Sequence, residues 1–418
     1  METVRLDEGL FRSTAPNGLV VLSEQLPWLR SAAIGVWVGT ASAHEARDKM
    51  GLSHLLEHMV FKGTERRSAR QIALELEVRG GSLDAYTGRD NTSFQAHVLD
   101  ADLPLAVDIL TDLVRRPLLR PQDLDAERRV VIEEISGVED TPDDLVFDLH
   151  AGTLWSPHPY GYSILGSRES VSALQVSDLR ALHEGAYFTG NCVIAAAGNL
   201  EHEVLLAGLE REGWFAGRES RAALDPVTPA PARRGVERRE GRDTSQCHIV
   251  FGTDTFPARD PRRFALAILA NVFGGGMSSR LFQRVREELG LAYAVYAYHQ
   301  LFQSGGQLGV YVGTQPESAD AACDAIRAEF DRVATGSLSP DELAHGKVQL
   351  KGQIMLALES PISRMSRLAS SERMEERYRP LDEVLGLVDA VTAEDVAAAA
   401  AEFFPSERQT VLRLGPAA

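Results

Sequence analysis

The chain has 418 residues, 44% of them hydrophobic, and a formal net charge of −17 at neutral pH. That length accommodates two domains of about 200 residues, each able to bury its own core. The acidic balance argues against nucleic acid as a partner and favours basic or unfolded basic peptides in an acidic cavity, and no apolar run approaches the length of a membrane span.

In chain order, strands are expected at residues 18–24 and 32–39, followed by a buried helix at 53–62 with Ser53 as its cap and a helix at 69–79. Strands at 82–87 and 93–99 precede helices at 103–115, 121–138 and 143–154. Helices at 176–187 and 202–210 flank a strand at 192–198. Proline and charge dominate residues 217–242 and mark a linker. The second half repeats the order and ends in a strand near 410–414. Gly274-Gly275-Gly276-Met277-Ser278-Ser279 lacks the lysine and spacing of a phosphate loop and reads as the end of a helix. The fold class is therefore α+β. It comprises two homologous domains, 1–216 and 243–418, each a mostly antiparallel sheet packed with helices.

His54-Leu55-Leu56-Glu57-His58 carries the chemistry. On a helix, residues four apart share a face, so both imidazoles reach one metal ion. Glu57 shares that face through its three-residue spacing from His54, and is placed to take a proton from water at the metal. Leu52, Leu55, Leu56, Met59, Val60 and Phe61 make the segment apolar nearly all round. Buried polar side chains there need a partner, and a metal supplies it. Catalytic zinc commonly has three protein ligands and an open position. The third candidate is Glu134, in a helix where Val130, Val131 and Val138 lie near the same face. Glu127 lies seven residues earlier on that face, whereas Glu133 and Glu139 read as solvated.

An internal duplication supports this grouping. A shift of 213 residues superposes Gly39-Thr40 on Gly252-Thr253 and lays Ala267 to Asn271 over His54 to His58. A shift of 219 places Gln353 opposite Glu134 and Gly346 opposite Glu127. The second copy keeps the apolar pattern and replaces all of the candidate ligands and the candidate base together, as expected if they act as a unit.

The chain resembles the pitrilysin-type zinc peptidases. Within them it is similar to the short-chain group of bacterial processing-type peptidases and the catalytic subunit of the mitochondrial processing peptidase. The resemblance rests on H-x-x-E-H at 54–58 and on Glu127-Arg128-Arg129-Val130-Val131 leading to Glu134-Ile135, with Glu134 placed 76 residues beyond His58. It extends to Gly80–Thr87 and Pro159–Gly166, and covers essentially the whole chain. It implies one Zn2+ per chain held by His54, His58 and Glu134, Glu57 as the base, and Glu127 as an acidic neighbour that is not a ligand. It also implies that Arg286 and Tyr293, seven residues apart in the second domain, hold substrate, within one chain or across a dimer. The family often has asparagine where Asp84 stands. An ionised aspartate cannot donate a hydrogen bond, so a changed substrate preference is expected.

The expected function is zinc-dependent endopeptidase cleavage of unfolded peptides in an enclosed chamber formed by a homodimer. The alternative is a non-catalytic assembly subunit or presequence-binding module of the same fold. Cys192, Cys247 and Cys323 are widely spaced and odd in number, which suggests a reducing compartment. Met1 to Glu8 lack the basic and apolar regions of a signal peptide, and the expected location is the bacterial cytoplasm.

Overall fold

The computed structural model describes residues 1–217, 227–229, 231–374 and 377–416. The chain folds into two compact units: 1–135 with 163–226 and 357–378, and 136–162 with 227–356 and 379–418.

The first unit contains a seven-stranded sheet. Its strands are β1 (Glu2–Asp7), β2 (Leu10–Thr14), β3 (Val20–Gln25), β4 (Ser31–Val38), β5 (Ser82–Thr87), β6 (Thr92–Leu99) and β7 (Cys192–Gly198). The order is β1-β2-β3-β7-β4-β6-β5, with β5 at an edge. Only β3 and β7 run parallel. Helices Leu52–Val60 and Leu103–Arg115 share one core with this sheet, through Leu55, Leu56, Met59, Ile109, Leu113 and Phe94. Each fully buried leucine there contributes about 1.5–3 kcal/mol of apolar transfer free energy. A separate cluster joins Met365, Leu368 and Ala369 of helix Pro361–Arg373 to Leu22, Ala33, Trp37 and Ala195 of the sheet.

The second unit contains β8 (Glu237–Gly241), β9 (Cys247–Thr255), β10 (Ala292–Leu301), β11 (Gly306–Thr314) and β12 (Thr410–Gly415). Their order, β10-β11-β9-β12-β8, matches β5-β6-β4-β7-β3 element for element. The single parallel pair, β8 with β12, corresponds to β3 with β7. This shared topology is the structural counterpart of the sequence duplication. Helix Pro142–Trp155 packs on β9 and β12 through Val146, with Val250, Leu412 and Leu414 beneath it. Each unit thus takes one helix from the other half of the chain, and the two exchanged helices occupy equivalent places in the repeat.

Three expectations are corrected. The segment 217–242 contains β8, an exposed edge strand whose charges (Glu237, Arg238, Arg239, Glu240) hide any apolar alternation. Residues 218–226 and 230 of that segment lie outside the described residues. The hairpin of β1 and β2 is absent from the expected elements, because β1 is exposed along nearly its whole length and shows no apolar face. Val130 is 43% exposed and stands outside the buried stripe of its helix, which is carried by Leu124, Val131 and Ile135. Among the described residues, no helix is long and apolar enough to cross a membrane.

Candidate metal centre

The helix Leu52–Val60 begins at Gly51, in the left-handed conformation (φ 86°), and stops before Gly63 (φ 128°). A Cβ on Gly51 would lie 2.5 Å from the Leu165 carbonyl oxygen, so both backbone shape and space require glycine. Ser53 lies inside the helix and does not cap it. Glu45 takes that role: its carboxylate accepts from the Gly51 N–H at 2.9 Å and from the Ser53 N–H at 2.6 Å. Two amides at the helix start are thereby satisfied, next to the positive end of the dipole. Burial still pushes the Glu45 carboxyl up to about 7.

His54, Glu57 and His58 emerge on one side of this helix, while Leu55, Leu56, Met59 and Val60 are buried. The helix Pro121–Glu139 brings Glu127 and Glu134 to the same place. One donor atom from each of His54, His58 and Glu134 lies within 4.8 Å of the others. The Glu134 carboxylate stands 3.8 Å from His54 Nε2 and 3.6 Å from His58 Nε2. These separations are too long for good hydrogen bonds. They resemble the spacing of about 3.3–3.6 Å expected between neighbouring ligands of a tetrahedral zinc. Glu134 is 40% exposed at its side chain, so the cluster is open on that side.

Electrostatics favour ligation over ion pairing. Burial, and then the nearby His58 ring, pushes His54 down to about 4, so its imidazole is neutral with a lone pair free near pH 7. His54 Nδ1 is buried and has no hydrogen-bond partner among the described residues. The rings of His54 and His58 meet edge to face, with centroids 4.6 Å apart. His58 Nδ1 donates to Glu127 Oε2 at 3.2 Å, which leaves the His58 Nε2 lone pair facing Glu134. Glu127, 5% exposed, holds Lys62 Nζ at 2.7 Å with its other oxygen and is not itself a ligand in this arrangement. Two imidazoles and one carboxylate around a gap, one imidazole oriented by a buried acid, form a donor set that fits zinc.

Glu57 is held from β5. The Thr87 hydroxyl, at the end of that strand, donates to Glu57 Oε2. Burial raises the Glu57 carboxyl above its ordinary range, and the Thr87 hydrogen bond opposes that rise. In the sequence, Thr87 stands only at the end of the Gly80–Thr87 stretch, with no role of its own. The available signal is the alternation of β5, in which Leu83, Ala85 and Thr87 share the less exposed face.

The backbone of β5 is equally informative. Gly88 N–H donates to the Asn91 carbonyl at 2.9 Å and closes the β5–β6 hairpin. Hydrogen-bonded and non-hydrogen-bonded pairs alternate along an antiparallel ladder. Counting back in register, Tyr86, Asp84 and Ser82 turn their N–H and C=O groups toward β6. Leu83, Ala85 and Thr87 turn theirs outward, along the free edge. Asp84 is exposed on the other face of this strand.

In the second unit, Arg286 lies in the π-helical segment Phe282–Glu288 and Tyr293 in β10. The structure brings the two together: the Arg286 guanidinium lies 4.8 Å from the Tyr293 ring centroid and 4.5 Å from that of Phe282. Tyr293 is 78% exposed.

Such a fold and donor set define the class of two-domain metallopeptidases with an inverted zinc motif. Comparison with known proteins agrees. Residues 20–168 match the family model for Insulinase (Peptidase family M16), and residues 173–350 match that for the Peptidase M16 inactive domain. An uncharacterized zinc protease of Streptomyces coelicolor is 37% identical over 97% of this chain and 89% of its own length. One from Mycobacterium tuberculosis is 40% identical, covering 97% of this chain and 93% of its own. Bacillus subtilis YmxG, also named an uncharacterized zinc protease, is 36% identical over 95% of this chain and 96% of its own. Among solved structures, a protease from Helicobacter pylori superposes with a TM-score of 0.91 at 20% identity, covering 97% of this chain and 99% of that one. A Pseudomonas fluorescens structure described as a peptidase M16 inactive domain gives 0.90 at 20% identity, with 98% of both chains covered. The chain belongs to the M16, pitrilysin-type peptidase family.

Proposed function

We propose that this protein is a zinc endopeptidase that cleaves extended peptides or unfolded protein segments. The observation that carries the reading is the convergence of His54, His58 and Glu134 beside Glu57, with Glu57 anchored to the end of the free edge strand β5. His54, His58 and Glu134 would hold one zinc ion per chain. When bound, zinc acidifies water and polarises a carbonyl.

The outward N–H and C=O groups of Leu83 and Ala85 offer an extended peptide the backbone pairing of an added strand. That pairing presents the main chain, whatever its side chains, to the base. Glu57 accepts a proton as water attacks and returns it to the leaving amine. Glu127 keeps the His58 ring turned toward the metal. By resemblance, Arg286 donates hydrogen bonds to a substrate carbonyl and Tyr293 stabilises the developing oxyanion. Two copies closing into a chamber would admit unfolded chains and exclude folded ones. The presence of both residue sets in one chain supports a homodimer, which light scattering tests directly.

The test of the function is cleavage of a quenched-fluorescent unfolded peptide of about 10–20 residues by the zinc-loaded chain and by its Glu57→Gln variant. Loss of the base should cost at least about 10²-fold in rate with zinc content unchanged. Bound zinc without any cleavage would instead favour a presequence-binding module or a subunit that needs a second chain.

A further inference from the structure

A general base is effective only where its lone pair points at the proton it takes. For Glu57 the hydrogen bond that fixes the carboxylate comes from outside its own helix. The holder is Thr87, 4% exposed and the last residue of β5. Thr87 Oγ1 donates to Oε2, and the Thr87 backbone N–H also bonds the carboxylate. Thr87 also belongs to the set of β5 residues, with Leu83 and Ala85, whose backbone faces the free edge. The residue that fixes the base is therefore two positions along the same edge from Ala85.

We propose that Thr87 is the positioning residue of this peptidase: its hydroxyl aims the Glu57 carboxylate and ties the base to the strand on which the peptide docks. This rests on the endopeptidase reading above and deepens it. A valine at this position has nearly the same shape but no hydroxyl, so the strand, the core and the backbone hydrogen bond should persist while the side-chain hold that aims the carboxylate is lost. A serine restores the donor without the methyl group.

A misplacement of about 1 Å in such a site can cost on the order of 10²-fold. For Thr87→Val, kcat should fall at least about 10-fold, with KM within about 2-fold, since backbone pairing along Leu83 and Ala85 remains. Thr87→Ser should recover most of the lost kcat. A merely structural role predicts the reverse ranking, because serine leaves a cavity and valine does not. The second measurement needs no activity: crystal structures of the metal-free parent, Thr87→Val and Thr87→Ser chains. Glu57 should keep its conformer in the parent and Thr87→Ser and turn away in Thr87→Val. An unchanged Glu57 conformer in Thr87→Val, or a kcat for Thr87→Val equal to the parent's, overturns the proposal. If the parent itself cleaves nothing, the endopeptidase reading fails, and the crystal structures still decide whether Thr87 aims Glu57.

Discussion

Glu127 joins His58 to Lys62: one carboxylate oxygen accepts from His58 Nδ1 at 3.2 Å and the other meets Lys62 Nζ at 2.7 Å. Lys62 lies just past the end of helix Leu52–Val60, so a single buried acid ties the last turn of the helix that carries the histidines to the turn that follows it. Partners of this kind set ligand orientation, and their removal commonly costs about 10–100-fold in metal affinity.

Glu127→Gln should therefore weaken zinc binding by about 10–100-fold while leaving His54, His58 and Glu134 in place. Competition with a chromogenic chelator measures this. An affinity equal to that of the parent would show that His58 is oriented by something else.

Removing the metal should destabilise the first unit and abolish activity. A ligand that binds only the folded state, at about 100 times its dissociation constant, adds about 2.7 kcal/mol. For a unit of this size, that corresponds to a rise of about 5–10 °C in melting temperature. Calorimetry with and without a chelator should show this shift in the parent and lose it in His54→Ala or Glu134→Ala.

Glu45→Gln leaves one acceptor oxygen where two amides need partners, because the Gly51 and Ser53 N–H groups bond to different carboxylate oxygens. Loss of a capping interaction costs about 1 kcal/mol. Urea unfolding of the metal-free chain should show this loss. A neutral result would mean that the helix start is fixed by the Gly51 turn alone.

His150, fully buried in the second unit, predicts a pH dependence that has nothing to do with the metal. Its Nε2–H donates to the Thr410 carbonyl and its Nδ1 accepts from Gln307 Nε2, so a second proton on the ring would face an N–H donor. Burial pushes this histidine down to about 4 from an ordinary 6.5. Between these values the unfolded chain binds the proton and the folded one does not. The full stability is present above pH 6.5 and is lost as pH falls toward 4. A shift of this size corresponds to something on the order of 3 kcal/mol. Chemical unfolding of metal-free parent and His150→Gln chains from about pH 7 to about pH 4 should show a shallower slope for the variant. Parallel slopes would remove His150 as the cause.

The metal cluster is legible in the sequence because helical periodicity is local. Spacings of three and four place His54, Glu57 and His58 on one face, and Glu134 follows Glu127 by seven residues, so the two acids share a side of their helix. Both are properties of a few consecutive residues. The duplication is legible for a similar reason: strand order and apolar pattern repeat even where the polar residues do not, and β5-β6-β4-β7-β3 reappears as β10-β11-β9-β12-β8.

Other relationships depend on parts of the chain that approach only after folding. Glu45 caps the metal helix from a preceding loop, in place of the expected Ser53, because a carboxylate can reach two amides at once and Ser53 already lies within the helix. Thr87 reaches Glu57 from a strand 30 residues away. The exchange of helices Pro142–Trp155 and Pro361–Arg373 is hidden for a different reason. Both sheets present an apolar face, and the apolar residues of a helix carry no local mark of which one they cover. The sequence by itself determined the pattern of elements and the residues able to bind a metal, since these follow from side-chain periodicity along one segment. Only the tertiary structure decided which acid meets which histidine, what holds Glu57 and which sheet each helix covers. Those choices come from packing and hydrogen bonds between segments far apart in the chain.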